Sequence, residues 1–289
     1  MARCLVTGHA GYIGSHVSEA LNLNGHEVMG IDLQEGNDIL LDLINPKYQE
    51  FKPEYIFHLA AIPRVAYSME NPHEVLHNNI MTTLDVLEFA RLNNTKRVIY
   101  SSSSSVRGNG DGPTSPYGAS KLIPETLCEN YSKVFGTDTV CLRYFNVYSK
   151  DQKADGPYAT AVANWMKYIR EGKSPFITGT GEQRRDMLHV QDAVAANIFC
   201  MHHNDDFNGN HYDVGTGNNI SLNEMKEMVQ EIDSSIKFDY ISERPGDVML
   251  TRASVNSLKA LGFQTEISIE KGLRDCFTNL KGEQNESYQ

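Results

Sequence analysis

Tyr117 and Lys121 stand four residues apart in Ser115-Pro-Tyr-Gly-Ala-Ser-Lys121. In a helix, positions i and i+4 share a face, so a phenol and an ammonium can act on one site. An opposite charge nearby favours the ionised form, so the lysine is expected to lower the phenol's pKa. A tyrosine brought towards neutrality can take a proton from a sugar or alcohol hydroxyl. Three further segments could serve that chemistry: Gly8-His-Ala-Gly11-Tyr-Ile-Gly14, the serine run 101–105, and Arg185-Asp-Met-Leu-His-Val-Gln-Asp192.

These groups need a frame, and the pattern predicts one. Apolar runs at 3–7, 26–31, 55–59, 97–101 and 139–143 read as short strands. They alternate with helical spacing at 12–24, 72–93 and 117–135. Short apolar strands separated by amphipathic helices imply a parallel sheet covered on both faces, a doubly wound, Rossmann-like α/β fold. The second half is less regular. Helices are expected at 160–171, 190–203 and 221–233, with short strands around 175–178, 211–214 and 237–241. No long Pro/Gly/Ser linker separates the halves.

Composition narrows the function classes. The 289 residues are 40% hydrophobic, and Lys+Arg 26 against Asp+Glu 37 gives a net charge of −11. That balance argues against a general nucleic-acid binder, whose affinity comes from cations on phosphates. No apolar run approaches the roughly 20 residues of a membrane span, and the first residues lack the pattern of a signal peptide. Cys4, Cys128, Cys141, Cys200 and Cys276 are scattered, without a CxxC pair. Buried small hydrophobes in a reducing cytoplasm are expected, with no disulfide and no metal site.

Gly8, Gly11 and Gly14 fall between the first strand and the first helix. Glycines there permit a tight turn and close backbone approach, and the helix N-terminus presents amides to a pyrophosphate. Asp32 ends the second strand, 18 residues after Gly14. A carboxylate there would accept both ribose hydroxyls of an adenosine and repel a 2′-phosphate. Leu33 and Gln34 follow with no arginine, which favours NAD over NADP; the competing role for Asp32 is a turn cap. Asp42, in Leu41-Asp-Leu43, is either a contact to the adenine amine or a surface aspartate.

Together these segments resemble the extended short-chain dehydrogenase/reductase family, particularly nucleotide-sugar epimerases of the UDP-glucose 4-epimerase type. The resemblance runs from Val6 to about Phe277. It is carried by VTGHAGYIGSH (6–16), HLAA (58–61), NNIMTT (78–83), SSSSSV (101–106), SPYGASK (115–121), LRYFNVY (142–148), GTGEQRRDMLHVQD (179–192) and RPGD (244–247). It implies Ser103 as the catalytic serine on the reacting hydroxyl and Tyr117 as the acid/base. Lys121 would sit on the nicotinamide ribose. Tyr12, Ile13 and Leu43, then Leu59, Ala60, Ala61 and Asn79, and finally Ser101 and Tyr144, would complete the NAD site. Asn146, Arg185 and Arg244 would hold the diphosphate of a nucleotide sugar, with Asp247 near its ribose. Guanidinium groups suit a dianionic diphosphate on chemical grounds too. Without the resemblance, Arg185 and Arg244 read as surface ion-pair formers. His189 reads as structural.

The resemblance implies a cofactor domain at 1–148 plus 186–215 and a smaller α/β substrate domain at 149–185 plus 216–289. It implies transient oxidation of a UDP-hexose at C4 to a 4-keto sugar, then return of hydride to the other face. A homodimer would pack through the helices near 72–93 and 117–135, using Leu84, Leu87, Ile123, Leu127 and Tyr131. The runner-up activity is a sugar-nucleotide 4,6-dehydratase. Such relatives carry an Asp-Glu pair after the catalytic hydroxyl residue, where Ser104 and Ser105 stand here. A non-catalytic NAD-binding regulator is the third class; the Tyr117/Lys121 pair and Ser103 weigh against it.

Four departures stand out. The loop 107–114 is short, Arg107 replaces the usual tyrosine, Ser149 replaces a glycine, and Pro124 falls inside the catalytic helix, where it predicts a kink. Thr251 is expected where a bulky residue would restrict the room around the sugar C2 substituent, so both plain and N-acetylated hexoses are expected to enter.

Overall fold

Cys4, Leu5 and Val6 are apolar and almost wholly buried, so the strand β1 (Arg3–Thr7) has no solvent face. Such a strand belongs inside a parallel sheet. The computed structural model describes residues 1–36, 39, 43, 45–108, 110–154, 160–243 and 249–280. After β1 come α1 (Tyr12–Leu23), β2 (Glu27–Ile31), α2 (Pro46–Phe51), β3 (Tyr55–His58), α3 (Val65–Glu70), α4 (Pro72–Leu92), β4 (Arg97–Ser103), α5 (Pro116–Phe135) and β5 (Thr139–Tyr144). The chain continues through β6 (Val147–Tyr148), α6 (Ala161–Arg170), β7 (Phe176–Thr178), β8 (Arg184–Arg185), β9 (Leu188–His189), α7 (Val190–His202) and β10 (His211–Val214). It ends with β11 (Ile220–Ser221), α8 (Leu222–Ile232), β12 (Asp239–Ile241), α9 (Asn256–Ala260) and α10 (Ile269–Phe277).

Six strands form one sheet in the order β10-β5-β4-β3-β1-β2, every neighbouring pair parallel. The expected Rossmann-like sheet is therefore present. Strand order reverses between β1 and β3, and open sheets of this kind bind ligands beyond the carboxyl ends of the strands at such a point. The turn after β1 holds Gly8, and the turn after β3 holds Leu59, Ala60 and Ala61.

The chain forms two compact units. One is Met1–Tyr144, Ala193–Val214 and Asn256–Phe263; the other is Phe145–Asp192, Gly215–Val255 and Gln264–Gln289. From the sequence, all residues beyond 215 are expected in the second unit. The stretch 256–263 instead belongs to the first, because Leu258 and Phe263 are buried and the Phe263 ring lies 5.5 Å from that of Phe199. The first unit packs Leu5, Ile31, Ile56, Val86, Val98 and Cys141 into one core. The second packs Trp165, Met166, Ile177, Met225, Val229 and Leu273 into another, around three two-stranded pieces: β8 with β11, β7 with β12, and β6 with β9.

Leu87 and Tyr131, expected at a subunit interface, are buried in the first unit's own core, and Leu84 and Leu127 pack against the same cluster. Of the five expected interface residues only Ile123 is exposed. All five cysteines are free and buried. Burial pushes Cys4, Cys200 and Cys276 up to about 12, so these thiols are packing groups, not nucleophiles.

A buried cation secures the far edge of the sheet. Arg97 of β4 pairs with Asp138 and donates to the carbonyls of Cys200 (2.5 Å), His203 (2.9 Å) and Asp205 (2.9 Å). Asp138 accepts from the amides of Phe207 (2.8 Å) and Asn208 (3.0 Å). Both charges are thereby satisfied, which is what a buried pair requires. Among the described residues no helix is long and apolar enough to cross a membrane.

Candidate active site

Tyr117 owes its place to the start of α5. Ser115 caps the helix by accepting from Gly118 N at 3.1 Å, Pro116 occupies the first turn, and Gly136 closes the far end in the left-handed conformation. The helix runs unbroken from Pro116 to Phe135 through Pro124. Tyr117 N also donates to Ser68 Oγ of α3 at 3.0 Å. Against the burial that raises the Tyr117 pKa, Ser103, at the end of β4, is the neighbour that pulls it down, while its own Oγ donates to Ser105 Oγ at 3.2 Å. Ser103 in turn accepts from Ser105 N at 3.2 Å, which fixes it at the head of a tight turn.

Lys121 is buried one turn along α5. Its Nζ donates to the carbonyl of Ser101 at 2.8 Å and lies 5.1 Å from the centre of the Tyr100 ring. Burial brings its pKa down to about 8, against an upward pull from Glu125. The sequence leads to the expectation that this ammonium lowers the Tyr117 pKa. In the structure burial raises Tyr117, and the group that pulls it back is Ser103. Lys121 is not among the groups that shift the phenol; its Nζ is bonded to the Ser101 carbonyl instead.

The glycine turn fits a dinucleotide. Gly8 has φ +72°, and a Cβ on it would stand 2.7 Å from Ala60 N. A Cβ on Gly14 would stand 2.0 Å from Gly8 O. Gly11 caps α1 without a side chain, and no acid lies in the first turn, a helix start that suits an anion. Asp32 takes the capping role weighed against ribose binding: it accepts from Ala10 N (3.0 Å) and Gln34 N (2.8 Å). Each carboxylate oxygen keeps a further lone pair, so capping and ribose binding are compatible. Leu43 is buried. Asp42, Arg244 and Asp247 lie outside the described residues.

Behind these turns runs a hydrogen-bond chain that residue types alone do not reveal. Thr83 Oγ1 donates to Asn79 O (2.8 Å), so it accepts from His58 Nε2 (2.9 Å). His58 Nδ1 is then the acceptor for Thr7 Oγ1 (2.7 Å), which accepts from Ala60 N (3.2 Å). Only the Nε2–H tautomer satisfies every member. Asn79 extends the chain. Its Oδ1 accepts from Ile62 N (2.7 Å), and its Nδ2 donates to Ser120 Oγ (2.9 Å), which donates to Tyr117 O (2.8 Å). Ser101 Oγ lies 3.3 Å from the Tyr144 hydroxyl, which accepts from Asn197 at 2.6 Å.

On the same sheet, Ser102, Arg143 and Asp213 are lateral partners on β4, β5 and β10. Glu125 of α5 accepts from Ser102 (2.5 Å) and, through both oxygens, from Arg143 (2.8 and 2.5 Å). Arg107, the departure in the short loop, reaches Asp213 at 2.8 Å.

In the second unit, Asn146 Nδ2 donates to Asp186 O (2.8 Å) and Thr251 Oγ1 (3.1 Å). Asp186 is buried and accepts from Thr216 N and Oγ1 (2.8 Å each), Gly217 N (3.0 Å) and Ala253 N (3.0 Å). Of the two adjacent arginines, Arg184 is occupied by Asn219 and Glu224, whereas Arg185 donates to the Arg184 carbonyl at 3.0 Å.

This fold and this constellation are those of a nucleotide-dependent enzyme that moves protons at a hydroxyl-bearing carbon. Residues 4–215 match the NAD dependent epimerase/dehydratase family, and the chain belongs to it. It is 30% identical over 306 residues to a putative UDP-glucose 4-epimerase of Methanocaldococcus jannaschii, covering 96% of this chain and 98% of that protein. It is also 30% identical over 312 residues to a UDP-N-acetyl-alpha-D-glucosaminuronate decarboxylase of Bacillus cytotoxicus, covering 94% and 96%. The crystal structure of UDP-glucose 4-epimerase from Thermotoga maritima, with UDP-glucose, superposes with a TM-score of 0.89 at 30% identity, covering 95% of this chain and 97% of that one.

The buried imidazole yields a pH prediction. Burial and the Lys121 charge lower His58 from 6.5 to about 3. The unfolded chain therefore binds a proton that the folded one refuses, and stability should fall as pH drops from about 6.5 towards about 3, by up to ~1.4 kcal/mol per pH unit from this residue. Urea unfolding between pH 4 and 7 should show the slope, and His58→Gln should remove about one proton from it. An unchanged slope would mean that His58 already titrates in the folded protein.

Proposed function

We propose that the protein is an NAD-dependent nucleotide-sugar 4-epimerase acting on UDP-hexoses. The observation that carries this is Tyr117 at the head of the helix that buries Lys121, with Ser103 as the group that lowers the phenol's pKa against burial. Tyr117, held protonated at neutral pH by burial, exchanges a proton with the sugar C4 hydroxyl while Ser103 orients that hydroxyl. Ser103 is also the contact that favours the phenolate when the proton moves. NAD, when bound, supplies the hydride chemistry. It would be held by the turn Gly8–Gly14, by Asp32, and by the Ala60–Ala61 turn. Asn146 and Arg185 would hold the sugar nucleotide.

Relatives of equal identity include an epimerase and a decarboxylase, so identity does not choose between them. Ser104 and Ser105 support epimerisation, because neither can act as the acid of a dehydratase, and decarboxylating relatives commonly carry a glutamate in that stretch. A cytoplasmic setting accords with five unpaired thiols.

Tyr117→Phe should lower kcat by ~10²–10⁴-fold, the usual worth of a positioned acid/base. It should leave bound NAD, released on denaturation, nearly unchanged. Turnover within a few-fold of wild type would remove Tyr117 from the mechanism.

Thr251→Tyr should lower kcat/KM for UDP-N-acetylglucosamine relative to UDP-glucose. Because Thr251 also holds Asn146, Thr251→Val is the control: it frees the amide without filling space, and should weaken both sugars alike. An unchanged sugar ratio in the tyrosine variant would show that Thr251 does not gate the C2 side.

A homodimer through α4 and α5 remains our reading of the assembly, now resting on exposed Leu92, Ile123, Val134 and Phe135. Sedimentation at micromolar concentration should give twice the 32.4 kDa chain mass; a monomer there would overturn it.

A further inference from the structure

Arg64 is the residue that neither the motifs nor the proposed mechanism uses. Its backbone has φ +95° and ψ +113°. Four of the other five non-glycine residues with positive φ are Asn94, Asn146, Asn208 and Asn279, a type that tolerates it. An arginine there stores on the order of 1–3 kcal/mol and persists only where the surroundings force it. They do so from both sides. Upstream, Ile62 is clamped by Asn79 through its N (2.7 Å) and O (3.1 Å). Downstream, Ser68 N donates to Arg64 O (3.2 Å), and Ser68 Oγ both donates to Val65 O (2.6 Å) and accepts from Tyr117 N (3.0 Å). The strained residue is thus strung between the turn that follows Ala60 and Ala61 and the first turn of the helix that carries Tyr117.

The side chain adds a second observation. Arg97, Arg143 and Arg184 all donate to carboxylates or carbonyls of the protein. Arg64 is only partly exposed, yet among the described residues its guanidinium has no hydrogen-bond or ion-pair partner. A partly shielded guanidinium without a counter-charge is available to a ligand, and its planar fork suits an oxyanion. Strain and an unpaired cation on one residue indicate a conformation kept for something outside the chain.

We propose that Arg64 reads an oxyanion of the bound ligand set. This rests on the function proposed above. Three sources share the chemistry: the diphosphate of the dinucleotide, the diphosphate of the sugar nucleotide, and a carboxylate at sugar C6. Arg64→Ala, Arg64→Lys and Arg64→Gly should be compared with the wild-type enzyme. Three readouts are needed: exchange of bound NAD with labelled NAD, calorimetric affinity for UDP-glucose, and calorimetric affinity for UDP-glucuronate. A charge-assisted contact is worth ~1.5–3 kcal/mol, so Arg64→Ala should weaken the ligand concerned by roughly 10–100-fold. Faster NAD exchange alone identifies the cofactor. Equal loss for both sugars identifies their diphosphate. Loss for UDP-glucuronate alone identifies the carboxylate.

Arg64→Lys should recover part of the loss. Arg64→Gly should bind as poorly as the alanine variant while melting no lower than wild type, because glycine accepts the backbone conformation. An arginine with only a structural role would give the opposite pattern, lower melting with unchanged binding. If all three ligands bind the variants as they bind wild type, the proposal is overturned. If wild type binds NAD but neither UDP-sugar, the function proposed above fails instead, and NAD exchange alone decides the role of Arg64.

Discussion

A neutral imidazole that can bond in one direction only holds the site together. His58 is wholly buried, and its two nitrogens are claimed by threonines on two different elements. Because Thr83 must donate to Asn79, the imidazole must donate to Thr83 and accept from Thr7. No proton in the chain can be reversed without stranding a buried polar atom, at a cost of about 1–3 kcal/mol. One arrangement of β1, β3 and α4 satisfies it. That arrangement sets the turn after β3 through Ala60 and reaches Tyr117 through Asn79 and Ser120. The turn after β3 and the helix that carries Tyr117 are thus held by one set of hydrogen bonds.

The same economy governs the charges. Lys121 is buried where its ammonium is disfavoured, and its nearest recorded counter-charge, Glu125, is shared with Arg143. A lysine so placed is not a generic cation beside a phenol. It binds a carbonyl oxygen and an aromatic face, and the group that lowers the phenol's pKa is a serine at the end of β4.

Much of this was legible in the sequence. Alternating apolar strands and helices gave the parallel sheet, because a strand buried on both faces leaves a continuous apolar run. The glycines marked the tight turn after β1 because nothing larger than hydrogen fits against Gly8 O or Ala60 N. What stayed hidden depends on neighbours remote in sequence. Leu87 and Tyr131 look like interface residues on a helical wheel, and only the packing of α4 against α5 assigns them to the core. The pull of Lys121 on Tyr117 was inferred from spacing, which fixes a shared face but not where the ammonium points. The chain through His58 joins residues 7, 58, 79 and 83, and no local pattern relates them. Arg64 shows no signal in residue type at all; its backbone angle reveals it.

The row formed by Ser102, Arg143 and Asp213, with Glu125 above it and Arg107 closing its end, has a consequence for how the protein can change over time. Glu125, Arg143, Asp213 and Arg107 alternate in sign along that row. Replacing Arg143 would leave Glu125 buried without its ion-pair partner, so that single step is penalised. Arg107 sits at the exposed end, just after the tight turn that follows β4. Loss of Arg107 would remove the ion pair that Asp213 makes and leave Arg143 as its neighbouring cation on the sheet. The loop is thus tied through one ion pair to a residue more than a hundred positions away, and a change in either is felt by the other.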